Sequence, residues 1–154
     1  MSKLYLIQGF LGAGKTTFAR QLSAQTGAIV LNPDESCLAF YAPQEYETDW
    51  NRCFAQTVER LWAEAQQYLY AGQDVIFDMG FWSRASRDEA REKARKWGVE
   101  CILYYLYAPD EVLLQRLSAR KGKIADDNRR NFISLKKQFE EPGEDEDHRR
   151  IDHF

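Results

Sequence analysis

The sequence predicts an α/β fold of three layers, a central parallel sheet with helices on both faces. Three observations predict it. Short apolar runs of strand length alternate with longer segments of helical spacing along the whole chain. That alternation favours crossover connections, and crossovers make strands parallel. A glycine-rich string, Gly9 to Thr17, lies between the first apolar run and the first helical segment. Finally, the 154 residues carry no internal repeat and no low-complexity tract, and their length suits one domain with a real core.

The elements follow in order. Leu4-Tyr5-Leu6-Ile7 is a continuous apolar run, the pattern of a strand buried on both faces. Phe18 to Thr26 reads as a helix, and Ala28 to Leu31 as a second strand. Thr48 to Ala71 reads as a long amphipathic helix. Trp50, Phe54, Val58, Leu61, Trp62, Ala65 and Leu69 recur there at helical spacing, with Gly72 as a stop. Val75 to Asp78 is a third strand. Ser83 to Trp97 is a helix with Ser83 as N-cap and Gly98 after its end. Cys101 to Tyr107 is a fourth, strongly apolar strand. Pro109 opens a helix that runs to about Lys121. A basic linker, Lys121-Gly122-Lys123, leads to a last helix from Asn128 to Phe139, which Pro142-Gly143 ends. Glu140 to Asp147 reads as a solvated, mobile acidic connection. Ile151 to Phe154 is expected to add a short edge strand.

Charge and cysteine content narrow the function classes. Residues 1–83 hold 5 basic and 9 acidic groups, net −4; residues 84–137 hold 14 and 8, net +6; residues 138–154 hold 2 and 7, net −5. The basic block follows the glycine string and suits an anionic substrate, although solvated helix faces account for many of its charges. A pI near 5.5 argues against a grip on long nucleic acid. Cys37, Cys53 and Cys101 are odd in number and lack metal-site spacing, so the expectation is a reducing, cytoplasmic setting without a disulfide framework. No apolar stretch has membrane-spanning length, and Met1-Ser2-Lys3 runs straight into a strand, which leaves no room for a signal peptide.

Gly9-Phe10-Leu11-Gly12-Ala13-Gly14-Lys15-Thr16-Thr17 satisfies the pattern G-x-x-x-x-G-K-[ST], and it stands between a strand and a helix as that pattern requires. Gly9, Gly12 and Gly14 release the backbone from side-chain sterics, so that successive N–H groups curl around a phosphate at a helix N-terminus. Lys15 then reaches the β- and γ-phosphates and the Thr16 hydroxyl suits Mg²⁺. Asp34, in Asn32-Pro33-Asp34-Glu35 after the second strand, is read either as a base for an acceptor hydroxyl or as a turn former after Pro33. Asp78 ends the third strand, where a carboxylate holds Mg²⁺ through water or binds the acceptor. Arg116 and Arg120 lie four apart on one helix face and, with Lys121 and Lys123, suit a cover over phosphates. Phe40, Tyr41, Tyr46, Phe81 and Trp82 offer an aromatic acceptor pocket or, more commonly, core packing.

This constellation resembles the small P-loop kinases of the AAA-type ATP-binding proteins. That group includes the kinase domain of phage polynucleotide kinases, chloramphenicol phosphotransferase and the zeta-toxin sugar-nucleotide kinases. The resemblance rests on Gly9 to Thr17, Asn32 to Glu35, Asp78, Phe81 to Arg84, Arg116 to Arg120 and Phe139 to Pro142. It implies one P-loop NTPase domain over residues 1–154, nucleoside-kinase-like, with a short lid near 116–128 and an acidic segment at 140–154. It implies ATP and Mg²⁺ as cofactors. ATP would lie on Gly9, Gly12, Ala13, Gly14, Lys15, Thr16, Thr17, Arg116 and Arg120, with Thr16 on the metal. It assigns catalysis to Lys15, Asp34 and Arg120, and the acceptor to Asp34, Asp78 and Arg84. The implied activity is transfer of the γ-phosphoryl group to a hydroxyl of a small molecule. A nucleoside or polynucleotide 5′-hydroxyl kinase is the alternative within the class, and a regulatory P-loop ATPase the alternative outside it. Polynucleotide kinases carry an arginine three residues after the base, where this sequence has Cys37. The glycine string is also typical of metal-chaperone GTPases, but their N/T-K-x-D guanine motif is missing here.

Overall fold

A computed structural model describes residues 1–152. Five strands form one parallel sheet: β1 (Lys3–Gly9), β2 (Ile29–Leu31), β3 (Val75–Gly80), β4 (Glu100–Tyr107) and β5 (Arg149–Asp152), in the order β2-β3-β1-β4-β5. The central β1 pairs with β3 (Tyr5 opposite Ile76) and with β4 (Tyr5 opposite Ile102), so the glycine string leaves from the middle of the sheet.

Side chains alternate along each strand, which splits the core between two faces. Leu4 and Leu6 join Phe77, Leu103 and the helices α4 (Trp50–Tyr70) and α5 (Arg84–Trp97) on one face. Tyr5 and Ile7 join Ile76, Leu106 and the helices α1 (Lys15–Thr26) and α6 (Asp110–Ser118) on the other. The three expected layers are present. α4 buries Cys53, Thr57, Leu61, Ala65 and Leu69, a stripe of strict four-residue spacing. Of the expected apolar face, Trp50, Phe54, Val58 and Trp62 are only half-buried, on the flank of that stripe.

Three differences from the sequence reading have physical causes. Between the second strand and the long helix, where the sequence pattern names no element, stand two short helices, α2 (Pro33–Phe40) and α3 (Pro43–Thr48), and Thr48 ends α3 rather than opening the long helix. Each starts with proline in its first turn, where the missing N–H costs nothing, and the Asn32 side chain caps α2 by accepting from Glu35 N at 3.0 Å. The expected last helix is two, α7 (Lys123–Arg130) and α8 (Phe132–Lys136); Lys121 and Gly122 form the linker as expected, and Lys123 already opens α7. The edge strand starts two residues early, at Arg149; residues 153 and 154 lie outside the described residues.

The acidic segment is exposed, as expected, at Glu140, Glu141, Glu144, Asp145 and Asp147, but it is pinned through Glu146. Glu146 is 5 % exposed and its carboxylate receives Arg87 Nε at 2.5 Å, Arg87 Nη2 at 3.1 Å and Arg91 Nη1 at 2.8 Å. Asp145 pairs with Arg84, and Glu140 accepts from the Arg84 backbone N–H at the start of α5. Among the described residues, no helix is long and apolar enough to cross a membrane.

Candidate active site

The site forms at the carboxyl ends of β1, β2 and β3, where open parallel sheets bind ligands. A cleft of about 210 Å³ is lined by Leu11, Gly12, Gly14, Lys15, Thr16, Thr17, Asn32, Asp34, Asp78, Met79 and Arg120. Residues up to 109 positions apart in sequence, Leu11 and Arg120, thus converge on one volume.

The phosphate loop takes its shape from two glycines. Gly12 (φ 84°) and Gly14 (φ 89°) lie in the left-handed region, and a Cβ on Gly12 would meet the Leu113 carbonyl at 3.1 Å. Gly9 differs from the expectation: its φ is ordinary, and what a side chain lacks there is room, since a Cβ would stand 3.1 Å from Ala13 Cβ and Lys15 Cγ. Ala13 is buried behind the loop and donates its N–H to Phe10 O at 3.0 Å. The loop opens α1 at Lys15, with Thr16 and Thr17 exposed in its first turn.

Lys15 Nζ donates to Phe10 O at 3.3 Å. Burial lowers its pKa; Asp78 and Asp34 support its charge and Arg120 opposes it. Asp34 sits in the first turn of α2, beyond the end of β2. Burial raises its pKa, against the pull of Lys15 and with the push of Glu35. Asp78, 3 % exposed, is raised likewise by burial, and Lys15 and the Asn32 hydrogen bond offset only part of that. Asn32 Nδ2 donates to Asp78 Oδ2 at 3.1 Å while Asn32 Oδ1 caps α2. One amide therefore holds the Asp78 carboxylate and the first turn of α2, the turn that carries Asp34. The chain then turns sharply through Gly80 (φ 91°) and Phe81 (φ 46°), the one non-glycine residue at positive φ among the described residues. A buried Phe81 ring and Arg87 Nη1 on Phe81 O at 2.9 Å hold that strained turn beside Asp78.

Arg120 lies two residues past the end of α6, so it does not share a helix face with Arg116 as expected, and it lines the cleft. Its carbonyl and that of Leu117 both receive Arg129 Nη1 from α7, at 2.9 and 2.8 Å, and Arg129 pairs with Asp126. Arg116 does not line the cleft; its Nη1 donates to Gly12 O at 3.0 Å, bracing the phosphate loop from behind. Arg84 is not brought to the cleft either, because Asp145 and Asp88 hold its guanidinium. None of the aromatic residues weighed for an acceptor pocket lines it. Phe81 is core, Trp82 stacks on Phe10 at 5.0 Å, and Phe40 is exposed under Arg60.

The sequence reading does not find the linking role of Asn32, although Asn-Pro-Asp-Glu is a recognisable helix start. The Arg129 brace and the Arg87–Glu146 pair carry no local signal, since their partners are distant in sequence. For Mg²⁺ the donor set fits: the exposed Thr16 hydroxyl and two carboxylates, all oxygen, share the cleft.

A five-stranded parallel sheet with a phosphate loop after its central strand defines the small P-loop kinase class of fold. The family model of the AAA domain matches residues 4–142, and the chain belongs to that family. The shikimate kinase of Rhodopseudomonas palustris is 31% identical over 120 residues, which are 75% of this chain and 54% of the relative. The chain thus spans little more than half the relative's length. Two solved structures share the fold. An unliganded sugar kinase from Janibacter sp. HTCC2649 has a TM-score of 0.72 at 22% identity, covering 99% of this chain and 86% of its own. A gluconokinase from Sinorhizobium meliloti 1021 has a TM-score of 0.68 at 16% identity, covering 98% and 82%.

Proposed function

We propose that the protein is an ATP-dependent kinase that transfers the γ-phosphoryl group to a hydroxyl of a small molecule. One observation carries the reading: the phosphate loop with Lys15, the carboxylate of Asp34 and the guanidinium of Arg120 line a single cleft. The named relatives, a shikimate kinase, a sugar kinase and a gluconokinase, support a small hydroxyl-bearing acceptor.

In this reading the loop N–H groups and Lys15 bind the β- and γ-phosphates. Asp34 accepts the proton of the acceptor hydroxyl as its oxygen bonds to the γ-phosphorus. The bond from that phosphorus to the β–γ bridging oxygen breaks, and ADP departs with the electron pair. Arg120 neutralises charge on the transferring group. Arg116 acts through the loop it braces, and Asp78 orients acceptor or metal-bound water. Thr16, with Asp78 through water, would hold Mg²⁺, which neutralises phosphate charge when bound. A raised Asp34 pKa suits a base, because it makes the carboxylate a stronger proton acceptor. Among the alternatives, a regulatory ATPase has no use for a base at this place. The test is transfer from γ-labelled ATP to a panel of hydroxyl acceptors, against hydrolysis without acceptor. A labelled phosphate ester is the expected product; label found only in inorganic phosphate across a broad panel refutes the kinase reading.

A further inference from the structure

The arginine that enters the cleft is held through its main chain alone. Arg120 stands in the short passage between α6 and α7, followed by Lys121 and by Gly122 at φ 110°, a left-handed value that lets the chain turn back. Its guanidinium has no hydrogen bond or ion pair among the described residues. A second arginine fixes its backbone. Arg129, half-buried on α7, sends one nitrogen, Nη1, to two carbonyls at once: Leu117 O at 2.8 Å and Arg120 O at 2.9 Å. Its other terminal nitrogen, Nη2, pairs with Asp126 on the same helix. The last carbonyls of α6 have no later turn to satisfy them, and a cation from α7 suits that helix end. A cap of α6 alone needs only Leu117 O. The bond to Arg120 O lies past the helix and serves the residue that lines the cleft.

We propose that Arg129 is a positioning residue of the phosphoryl-transfer site: it fixes the backbone of Arg120 so that the Arg120 guanidinium meets the transferring group. The inference rests on the kinase reading, in which Arg120 neutralises that group. Arg129 does not line the cleft, so it acts through Arg120. Reach decides the effect. An arginine side chain without a partner samples many rotamers, and a fixed backbone narrows the set that points into the cleft. A misplacement of about 1 Å in a group that must match the transition state costs up to about 10²-fold in rate. Asp126 completes the device, because it holds Nη2 while Nη1 faces the two carbonyls. A lysine at position 129 would supply the charge but not the rigid fork that serves Asp126 and the carbonyls together.

The test is a double-mutant cycle of Arg129→Ala and Arg120→Ala, read as turnover of γ-labelled Mg²⁺-ATP with phosphate ester and inorganic phosphate counted separately. Calorimetry adds the affinity for Mg²⁺-ADP with and without aluminium fluoride, a mimic of the planar transferring group. Arg129→Ala should lower kcat about tenfold and leave KM for ATP within about twofold. It should cut the tightening by aluminium fluoride by a similar factor. In the Arg120→Ala background the same change should lower neither any further, because the residue it positions is gone. Arg129→Lys should recover only part of the loss, and should Arg129→Ala fail to fold, the lysine variant carries the cycle. A helix cap alone predicts a lower melting temperature with kcat unmoved, or equal losses in both backgrounds, and either result overturns the proposal. Coupling in hydrolysis with no ester formed supports the role of Arg129 and refutes the kinase reading. Ester formation with additive losses keeps the kinase reading and refutes the role of Arg129. A folded wild type with neither turnover nor tightening by aluminium fluoride overturns both.

Discussion

Replacing Glu146 by glutamine should cost the fold about 3 kcal/mol near neutral pH. Burial on its own would raise the pKa of this carboxyl. The hydrogen bonds from Arg87 and Arg91, and then their charges, outweigh it and hold the group down to about 2, against an ordinary glutamate value of 4.5. At about 1.4 kcal/mol per pKa unit, that difference is worth roughly 3 kcal/mol of stability. Because the folded value is the lower one, the contribution is complete above pH 4.5 and is lost as pH falls towards 2. Glutamine keeps the shape but leaves Arg87, which is 0% exposed, without its counter-charge. Removing one partner of a buried pair typically costs about 3–5 kcal/mol, which agrees with the first figure. For a chain of this size the melting temperature should fall by roughly 6–12 °C. Urea denaturation of both proteins across the acid range is the assay. The stability gap should be widest near neutral pH and close between pH 4.5 and about 2. A gap below about 1 kcal/mol, or one indifferent to pH, refutes the reasoning. Arg87→Met combined with Glu146→Leu removes both charges but also the hydrogen bonds of Arg87 to Phe81 O and Glu140 O, so it should recover only part of the loss.

Three further outcomes concern the cleft. Arg120→Ala should lower kcat more than it weakens ATP binding, because a guanidinium on the transferring group matters most in the transition state; turnover within a factor of two of wild type would leave Arg120 as a helix-end cation only. Asp34→Asn should reduce transfer by roughly 10²–10⁴-fold while Mg²⁺-ATP still binds, and the wild-type acid limb of kcat/KM should lie above the ordinary aspartate range because burial raises Asp34; intact transfer in Asp34→Asn with loss in Asp78→Asn would move the base to the other strand. Asn32→Asp keeps the cap on Glu35 N but replaces the donor to Asp78 with a third carboxylate. The acid limb should then shift upward and stability near neutral pH should fall with it, recovering as pH drops and the carboxylates protonate; an unmoved limb with unchanged stability refutes the coupling of Asn32 to the carboxylates.

The fold was readable because its signals are local. The strand runs, the long helix stripe and the glycine string each declare themselves within about twenty residues, and crossover connections make the strands parallel; the order of the strands has no such local signal. The phosphate loop and Asp34 were readable for the same reason. Asn32 to Thr48 was not recovered as helical because Phe40, Tyr41 and Tyr46 leave no clean apolar stripe, and the two helices are 8 and 6 residues long. Their evidence lay in the caps rather than in periodicity. Arg84 was assigned to the acceptor by motif position, and the structure turns its side chain to Asp145, a partner 61 residues away.

The acidic segment shows why composition misleads at the level of a single side chain. A net charge of −5 over 17 residues describes the average environment, and by that average Glu140 to Asp147 belongs in solvent. Energetics is decided by partners instead. The basic surplus of α5 offers Arg84, Arg87 and Arg91 on successive turns, and three acids of the segment meet them there. The same Arg87 that binds Glu146 holds the carbonyls of Phe81 and Glu140. The consequence reaches the cleft: the strained turn that follows Asp78 is held by a charge whose counter-ion lies in the segment that looked least structured. Charge asymmetry along the chain, read as solvation, is here a complementary pair folded onto itself.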